Sequence, residues 1–304
     1  MERETREKLQ ALEELLDTWK SVAVGYSGGV DSTFLAAVCA RAVPSRAVLM
    51  HIETAFSATP ELVSVERAAE SGQSAFGLPL IAVPLDPFSL ENVVRNDENR
   101  CYYCKRAGFS AILAEARARG IEVVVDGSNA DDAGDYRPGM RALEELGVRS
   151  PLLETGWHKD EERALLREWG IPVWDMPAGA CLATRIPCGE PLTERKLAAV
   201  RACEDYLHEH GLHQVRARLI EGSLQVEVSS EDLRVLASAG DPADASGGSS
   251  APHEKGAWHG EGAPSEEGAQ RVALPEEMRT HLAGCVDGEV NPYVVLYSKG
   301  SMNR

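Results

Sequence analysis

Little in the sequence suits it to a membrane, to secretion or to broad contact with nucleic acid. The longest unbroken apolar run is Phe34 to Ala40, far short of the ~20 residues that a bilayer span needs. The opening stretch, MERETREKLQALEELLDTWK, is charged throughout and lacks the apolar segment of a secretory signal. Basic residues are in deficit, 31 against 48 acidic ones, for a net charge of −17. That excludes a broadly basic nucleic-acid surface, although a local patch stays open. Seven cysteines, an odd number in a chain this long, do not form a secreted disulfide framework. No GxxxxGK[ST] occurs, no GxGxxG follows a strand, and there is no internal repeat. The expectation is an acidic, soluble protein of a reducing compartment, hence cytoplasmic.

What is present is enough for a core: 304 residues, 43% of them hydrophobic, which rules out a wholly disordered chain. The length suggests one large domain and a smaller one. Leu9, Leu12, Leu15 and Leu16 have the spacing of an amphipathic helix. Four short apolar runs read as buried strands: Ser21–Tyr26, Ala47–Ile52, Leu78–Leu85 and Ile121–Asp126. Helical patterns lie between them, from Ser32, from Pro60 to about Ala75, and from about Tyr103 to Arg119. Strands alternating with helices predict a parallel sheet covered on both faces. Ligands of such sheets sit beyond the C-terminal strand ends. SGGVDS, Glu53-Thr54 and GSNADD all follow strand ends, so they are expected on one rim.

After Pro191 the pattern changes, which divides the chain into an α/β domain, 1–190, and a smaller α+β domain, 191–304. The second carries a helix around Thr193–His210, a hairpin of HQVRARLI and SLQVEVS, a segment at Glu231–Ala237 and a closing strand at Tyr293–Tyr297. Residues 240–272 hold seven glycines and no periodicity, and read as a disordered insertion. Its His253, Trp258 and His259 suit metal or partner binding in principle, but a solvated loop is the simpler reading.

Ser27-Gly28-Gly29-Val30-Asp31-Ser32 lies between the first strand and a helix. Two glycines permit a tight turn with inward N–H groups, and the helix N-terminus adds partial positive charge, so the loop suits a polyphosphate. Ser27 and Ser32 can donate hydroxyl hydrogen bonds, and Asp31 can hold Mg²⁺ against phosphates. The plainer alternative is a strand-to-helix turn capped by Ser or Asp.

SGGVDS resembles the pyrophosphate loop of the ATP-pyrophosphatase (PP-loop) superfamily, which includes NAD and GMP synthetases, asparagine synthetase and tRNA thiolases. Four further stretches narrow the resemblance: Arg100–Lys105 (RCYYCK), Asp126–Ala142 (DGSNADDAGDYRPGMRA), Pro177–Gly189 (PAGACLATRIPCG) and Gly300–Asn303 (GSMN). With SGGVDS they resemble LarE, the ATP-dependent sacrificial sulfur transferases of nickel-pincer nucleotide cofactor synthesis. That resemblance implies a PP-loop fold with ATP and Mg²⁺ as cofactors. It implies adenylation of a carboxylate of pyridinium-3,5-biscarboxylic acid mononucleotide with release of pyrophosphate. A cysteine, here Cys181, then attacks the acyl adenylate and gives up its sulfur, leaving a thiocarboxylate product and dehydroalanine. Thr184 stands where the family has serine and keeps the hydroxyl. The family's members form homo-oligomers.

The residues agree with that chemistry. A sulfur nucleophile must be thiolate, and Arg185, four residues on, is placed to lower the Cys181 pKa. Pro177 and Pro187 confine any helix here to a turn or two, which makes an exposed nucleophile of the cysteine; the alternative is an inert buried residue. Lys105 matches a phosphate-binding lysine of the family. Glu204, Arg216 and Arg218 resemble a Glu/Arg/Arg group of its active site. Arg216 and Arg218 share one strand face as a fork for a substrate phosphate, or else belong to a surface ion-pair face. Asp131 and Asp132 either hold metal or cap a turn. Cys101 and Cys104 form a CxxC, half of a zinc or iron–sulfur site, with Cys188 as a third ligand and Cys203 or Cys285 less conveniently placed. Some LarE-like enzymes draw sulfur from an iron–sulfur cluster, and the residues leave that choice open.

Two rival enzymes and one non-enzyme remain. A tRNA thiolase of the same superfamily is opposed by the charge, which stays at −13 without the insertion's six acids and two bases, and by the lack of a basic or aromatic-rich appended domain. An amide-forming synthetase needs ammonia and no cysteine. A protein that merely senses ATP would bind it without releasing pyrophosphate.

Overall fold

A computed structural model of the protein describes residues 3–69, 76–132, 138–177, 179, 181–239, 272–286 and 288–297. The chain forms two compact units, Met1–Leu197 and Ala198–Arg304.

The first unit runs α1 (Arg3–Asp17), β1 (Val22–Gly25), α2 (Val30–Ala42), β2 (Ala47–Glu53), α3 (Thr59–Ala69), β3 (Leu80–Pro84), α4 (Glu91–Val94), α5 (Arg100–Ala118) and β4 (Val123–Val125). Three helices follow, α6 (Pro138–Leu146), α7 (Pro151–Glu154) and α8 (Lys159–Glu168). The strands form a parallel sheet in the order β3-β2-β1-β4, with Val22 opposite both Ala47 and Val123. Strand order therefore reverses between β1 and β4, which opens a crevice at their C-terminal ends.

The strand runs are nearly all apolar because both faces are covered. Val22 and Val24 of β1 pack with Leu12, Leu16, Phe34, Leu35, Trp157 and Leu165 on one side. Ala23, between them, packs with Met50, Phe109, Ile112 and Leu143 on the other. The two-residue period of the strand thus sorts α1, α2 and α8 to one face and α5 and α6 to the other. Helix α2 is buried almost all round; its Phe34 ring lies 4.7 Å from Trp157 and 5.6 Å from Trp169.

The α/β fold with a parallel sheet is the one expected; β1, β3 and β4 fall inside their predicted runs, and β2 overruns its own by one residue, Glu53. Residues 138–168 carried no prediction and form α6 to α8.

The second unit continues α9 (Glu194–Glu209), which begins in the first. β5 (Val215–Ile220) and β6 (Ser223–Val228) form an antiparallel hairpin, turning at Glu221 (φ 51°) and Gly222 (φ 81°). Two central residues with positive φ make the turn that suits strand twist. α10 (Ser230–Ala239), β7 (Val272–Ala273), α11 (Glu276–Cys285) and β8 (Tyr293–Leu296) complete it, with sheet order β5-β6-β8-β7. Val272, the last residue of the expected insertion, lies in β7; residues 240–271, with His253, Trp258 and His259, lie outside the described residues, as does Gly300–Asn303. No described helix is long and apolar enough to cross a membrane.

Candidate active site

The loop after β1 is built by its own side chains. Ser27 Oγ and Ser32 Oγ lie 3.0 Å apart, Ser27 N donates to Ser32 Oγ (3.2 Å), and Gly29 N donates to Ser27 Oγ (3.3 Å). Gly28 has φ +83°, and a Cβ there would sit 2.7 Å from the Glu61 carbonyl oxygen. Only glycine meets both demands. Gly29 is the N-cap of α2, so the loop runs straight into a helix N-terminus. The chain after β4 packs against this turn so closely that a Cβ on Gly127 would be 3.0 Å from Ser32 N.

Two adjoining cavities open here. One, of about 210 Å³, is lined by Ser27, Asp31, Ser32, Lys105, Asp126 and Ser128. The other, of about 350 Å³, is lined in part by Ser27, His51, Thr54, Arg100, Lys105 and Cys181. Gly25, Ser27, Lys105 and Phe109 belong to both. Three strand-end segments therefore do meet on one rim, although Glu53 lines neither cavity.

Lys105 Nζ is 3.2 Å from Asp126 Oδ2. Asp126 is buried and also accepts from Ser128 Oγ and Ser150 Oγ, both at 2.6 Å. An ammonium held at the mouth of a serine-lined cavity suits a phosphate oxygen.

Asp31 meets three groups from outside its loop. Lys159 Nζ lies 3.1 Å from Asp31 Oδ2, and Asn129 Nδ2 donates to Asp31 Oδ1 (3.3 Å). The same amide donates to Glu162 Oε1 (3.0 Å). Burial, and then the Asp31 carboxylate, push the Glu162 carboxyl well above the usual carboxylate range. Asp131 and Asp132, for which metal binding and capping were both open, act as caps. Asp131 Oδ2 accepts from Lys159 N (2.9 Å) and Oδ1 meets His158 Nδ1 (2.7 Å), while Asp132 Oδ2 accepts from Asn129 N (3.2 Å). The His158 contact, first among several, lowers the Asp131 pKa.

Cys181 is half-buried at the start of a single 3-10 turn, Leu182–Arg185. Leu182 N donates to Phe56 O (2.9 Å), and Thr184 Oγ1 donates to Cys181 O (2.8 Å). The hydroxyl that threonine shares with serine is thus used to close the turn. Arg185 is almost fully buried and donates to Thr184 Oγ1 (2.9 Å) and Cys181 O (3.5 Å). The cation that most favours the Cys181 thiolate is Arg100, which donates to Ala183 O (3.1 Å) within that turn. Burial is the larger influence and raises the thiol pKa despite it.

Cys101 and Cys104 face the same cavity as Cys181. Burial, followed by the other two thiols, pushes Cys104 up to about 12. The expected third partner, Cys188, is exposed and is not among the residues lining that cavity; Cys181 takes the place. Cys203 and Cys285 belong to the second unit, where they neighbour each other. Among the described residues no group of three or more His, Cys, Asp or Glu side chains could hold a metal ion.

One residue that the sequence did not single out holds the loop after Cys181. Asn96 is fully buried at φ 57°, and its Nδ2 donates to Pro187 O and Glu190 O, both at 2.8 Å, and to Ile186 O at 3.4 Å. Its carbonyl accepts from Gly189 N (2.8 Å), and its Oδ1 accepts from Arg100.

Glu204, Arg216 and Arg218 lie together in the second unit, all buried. Glu204 Oε1 accepts from Ala217 N (2.9 Å), and Arg218 Nε is 2.8 Å from Glu227 Oε1. Arg216 lies 5.4 Å from the Tyr297 ring centroid. The two arginines do share one strand face, but it is a buried ion-pair face and not an exposed one.

Comparison with known proteins gives the following. No family model matches the chain. An uncharacterized protein of Synechocystis sp. is 37% identical over 75% of this chain and 83% of its own length. The pyridinium-3,5-bisthiocarboxylic acid mononucleotide synthase of Lactiplantibacillus plantarum is 32% identical over 68% of this chain and 74% of its own. A tRNA(Ile)-lysidine synthase of Polaromonas naphthalenivorans is 30% identical over 49% of this chain and 46% of its own.

Proposed function

The chain belongs to the LarE family of PP-loop enzymes, and from that footing we propose that it is an ATP-dependent sulfur transferase acting on pyridinium-3,5-biscarboxylic acid mononucleotide. Ser27–Ser32 and Lys105 would hold the phosphates of ATP, and Asp31 would hold the Mg²⁺ that offsets their charge. A substrate carboxylate oxygen bonds to the α-phosphorus as the bond to the pyrophosphate oxygen breaks. The Cys181 sulfur then attacks the acyl carbon and AMP departs, leaving a thioester. Loss of the Cys181 α-proton to a base and breakage of its Cβ–S bond release the thiocarboxylate and leave dehydroalanine. We place the enzyme in the reducing cytoplasm as a homo-oligomer.

The observation that carries this reading is that Ser27, Lys105 and Cys181 line one cavity. A phosphate loop and a sulfur nucleophile on one chamber are what adenylation followed by sulfur attack requires. The test is intact-protein and peptide mass spectrometry after incubation with ATP, Mg²⁺ and the dicarboxylate. Loss of one H₂S, mapped to Cys181, is expected; the absence of both the mass loss and the thiocarboxylate would overturn the reading.

A second reading changes only the sulfur source. Cys101, Cys104 and Cys181 would hold an iron–sulfur cluster that supplies the sulfur and spares the cysteine. The donors fit in kind, three thiols around one cavity. They are not gathered as ligands of one metal ion, so sacrifice of Cys181 leads. An unchanged Cys181 beside thiocarboxylate product would reverse that order.

A further inference from the structure

Helix α8 carries a carboxyl to the N-terminus of α2 that no sequence motif announced. Glu162 is 0% exposed, and its Oε2 is buried with no hydrogen-bond partner. Its other oxygen shares the Asn129 amide with Asp31, so two carboxyl groups face each other across one donor. Lys159, three residues earlier on the same helix face, sits on Asp31 Oδ2 and not on Glu162. Two carboxyl groups this close, one of them with a buried oxygen, cannot both be ionised without a neutralising partner, which a shared proton supplies before metal binds and a cation can replace.

The place matters as much as the charge. Asp31 lines the smaller cavity with Ser27, Ser32 and Lys105, where the ATP phosphates are assigned above. Mg²⁺ is small, strictly octahedral and held back by its hydration, so it takes one or two protein carboxylates and fills its remaining positions with water and phosphate oxygens. A pair of carboxyl groups suits that need.

We infer that Glu162 is, with Asp31, a protein ligand of the Mg²⁺ that accompanies ATP. The inference rests on the nucleotide reading given above and adds a ligand from a helix remote in sequence from the phosphate loop. Lys159 then leaves Asp31 for the phosphates when the metal arrives.

Mn²⁺ replaces Mg²⁺ in the test, titrated into the full-length protein with α,β-methylene ATP, whose bridge cannot be cleaved. Electron paramagnetic resonance counts free Mn²⁺. The wild-type chain is expected to hold one Mn²⁺, and Glu162→Gln to bind it about tenfold more weakly or worse, with metal-free nucleotide affinity within about twofold. A Glu162→Gln protein that melts cooperatively and holds Mn²⁺ as tightly as wild type overturns the inference. If that variant does not fold, the wild type decides: Fe²⁺ with ascorbate and peroxide cuts a chain beside the ligands of its metal. Cuts near both Asp31 and Glu162 are expected, and a cut near Asp31 alone overturns the inference. Nucleotide binding with metal affinity indifferent to Glu162 removes this inference and leaves the proposed function standing. A wild-type chain that binds no nucleotide removes the proposed function, and this inference with it.

Discussion

At the residue scale the chemistry turns on which charge sees the Cys181 sulfur. Spacing alone pointed to Arg185, which does favour the thiolate, but its guanidinium is turned to the Cys181 carbonyl and the Thr184 hydroxyl. Arg100 supplies the larger attraction, from another helix. Burial still raises the thiol pKa, so the thiolate is scarce at pH 7 and grows as pH rises through and beyond the ordinary thiol range. Removing Arg100 removes an influence that lowers the pKa. Arg100→Gln is therefore expected to move the pH midpoint of Cys181 alkylation upward and to slow labelling at every fixed pH below it. Peptide-resolved iodoacetamide labelling across pH 7–10 measures this, and an unmoved midpoint would return the role to Arg185. Gly28→Ala puts a Cβ at a positive φ against the Glu61 carbonyl. It is expected to cost about 1–2 kcal/mol in strain and to abolish ATP binding by isothermal titration calorimetry. Cys181→Ala is expected to retain pyrophosphate release and lose thiocarboxylate formation; full activity with an amide product would favour an amide-forming synthetase instead.

At the scale of elements, what was legible was what is local. Each strand is a mostly apolar run that stops at a turn-forming or polar residue (Gly25, Glu53, Pro84 and Asp126), and the Ser-Gly-Gly turn joins β1 to α2, so the sheet and its phosphate loop could be read directly. The contacts that finish the site are not local. Asn96 reaches Pro187 and Glu190 across 91 and 94 residues, and no periodicity encodes such a pairing. Glu162 looks in sequence like one more acid in the charged first turn of α8, KDEERALLRE. Asp126 offered a signal that was not used, since it directly follows β4 on the rim where ligands of parallel sheets sit. Helix α2 shows the energetic side. With nine of its thirteen residues buried, it behaves as a core helix and not as an amphipathic one. Phe34→Ala is expected to destabilise the first unit by about 3–5 kcal/mol in urea unfolding, because its ring fills the space between Trp157 and Trp169.

At the scale of the whole molecule, charge separates the leading function from a tRNA thiolase. A chain with a net charge of −17 and an isoelectric point near 4.9 has no sequence-wide attraction for phosphodiesters. Full-length protein is expected to show no tRNA binding by electrophoretic mobility shift at 50 mM salt. Tight retention that falls steeply with salt would revive the thiolase. The pattern changes after Pro191, where apolar strand runs give way to a hairpin with alternating character, and the compact units divide between Leu197 and Ala198. The charges buried in that hairpin were not visible, because for Arg216 and Arg218 a phosphate fork and a surface ion-pair face both stay open until the strand pairing with Glu227 is known.

The buried amide of Asn96 also shows how small a change would unfasten one loop and spare another. Deamidation exchanges one NH₂ for an oxygen, and here that oxygen would face the carbonyls of Pro187 and Glu190, both 2.8 Å from the nitrogen it replaces. Attraction becomes repulsion at both contacts, while the serine and glycine network of Ser27–Ser32 is untouched. A chain so altered would lose the clasp on the loop after Cys181 and keep the contacts of its phosphate loop.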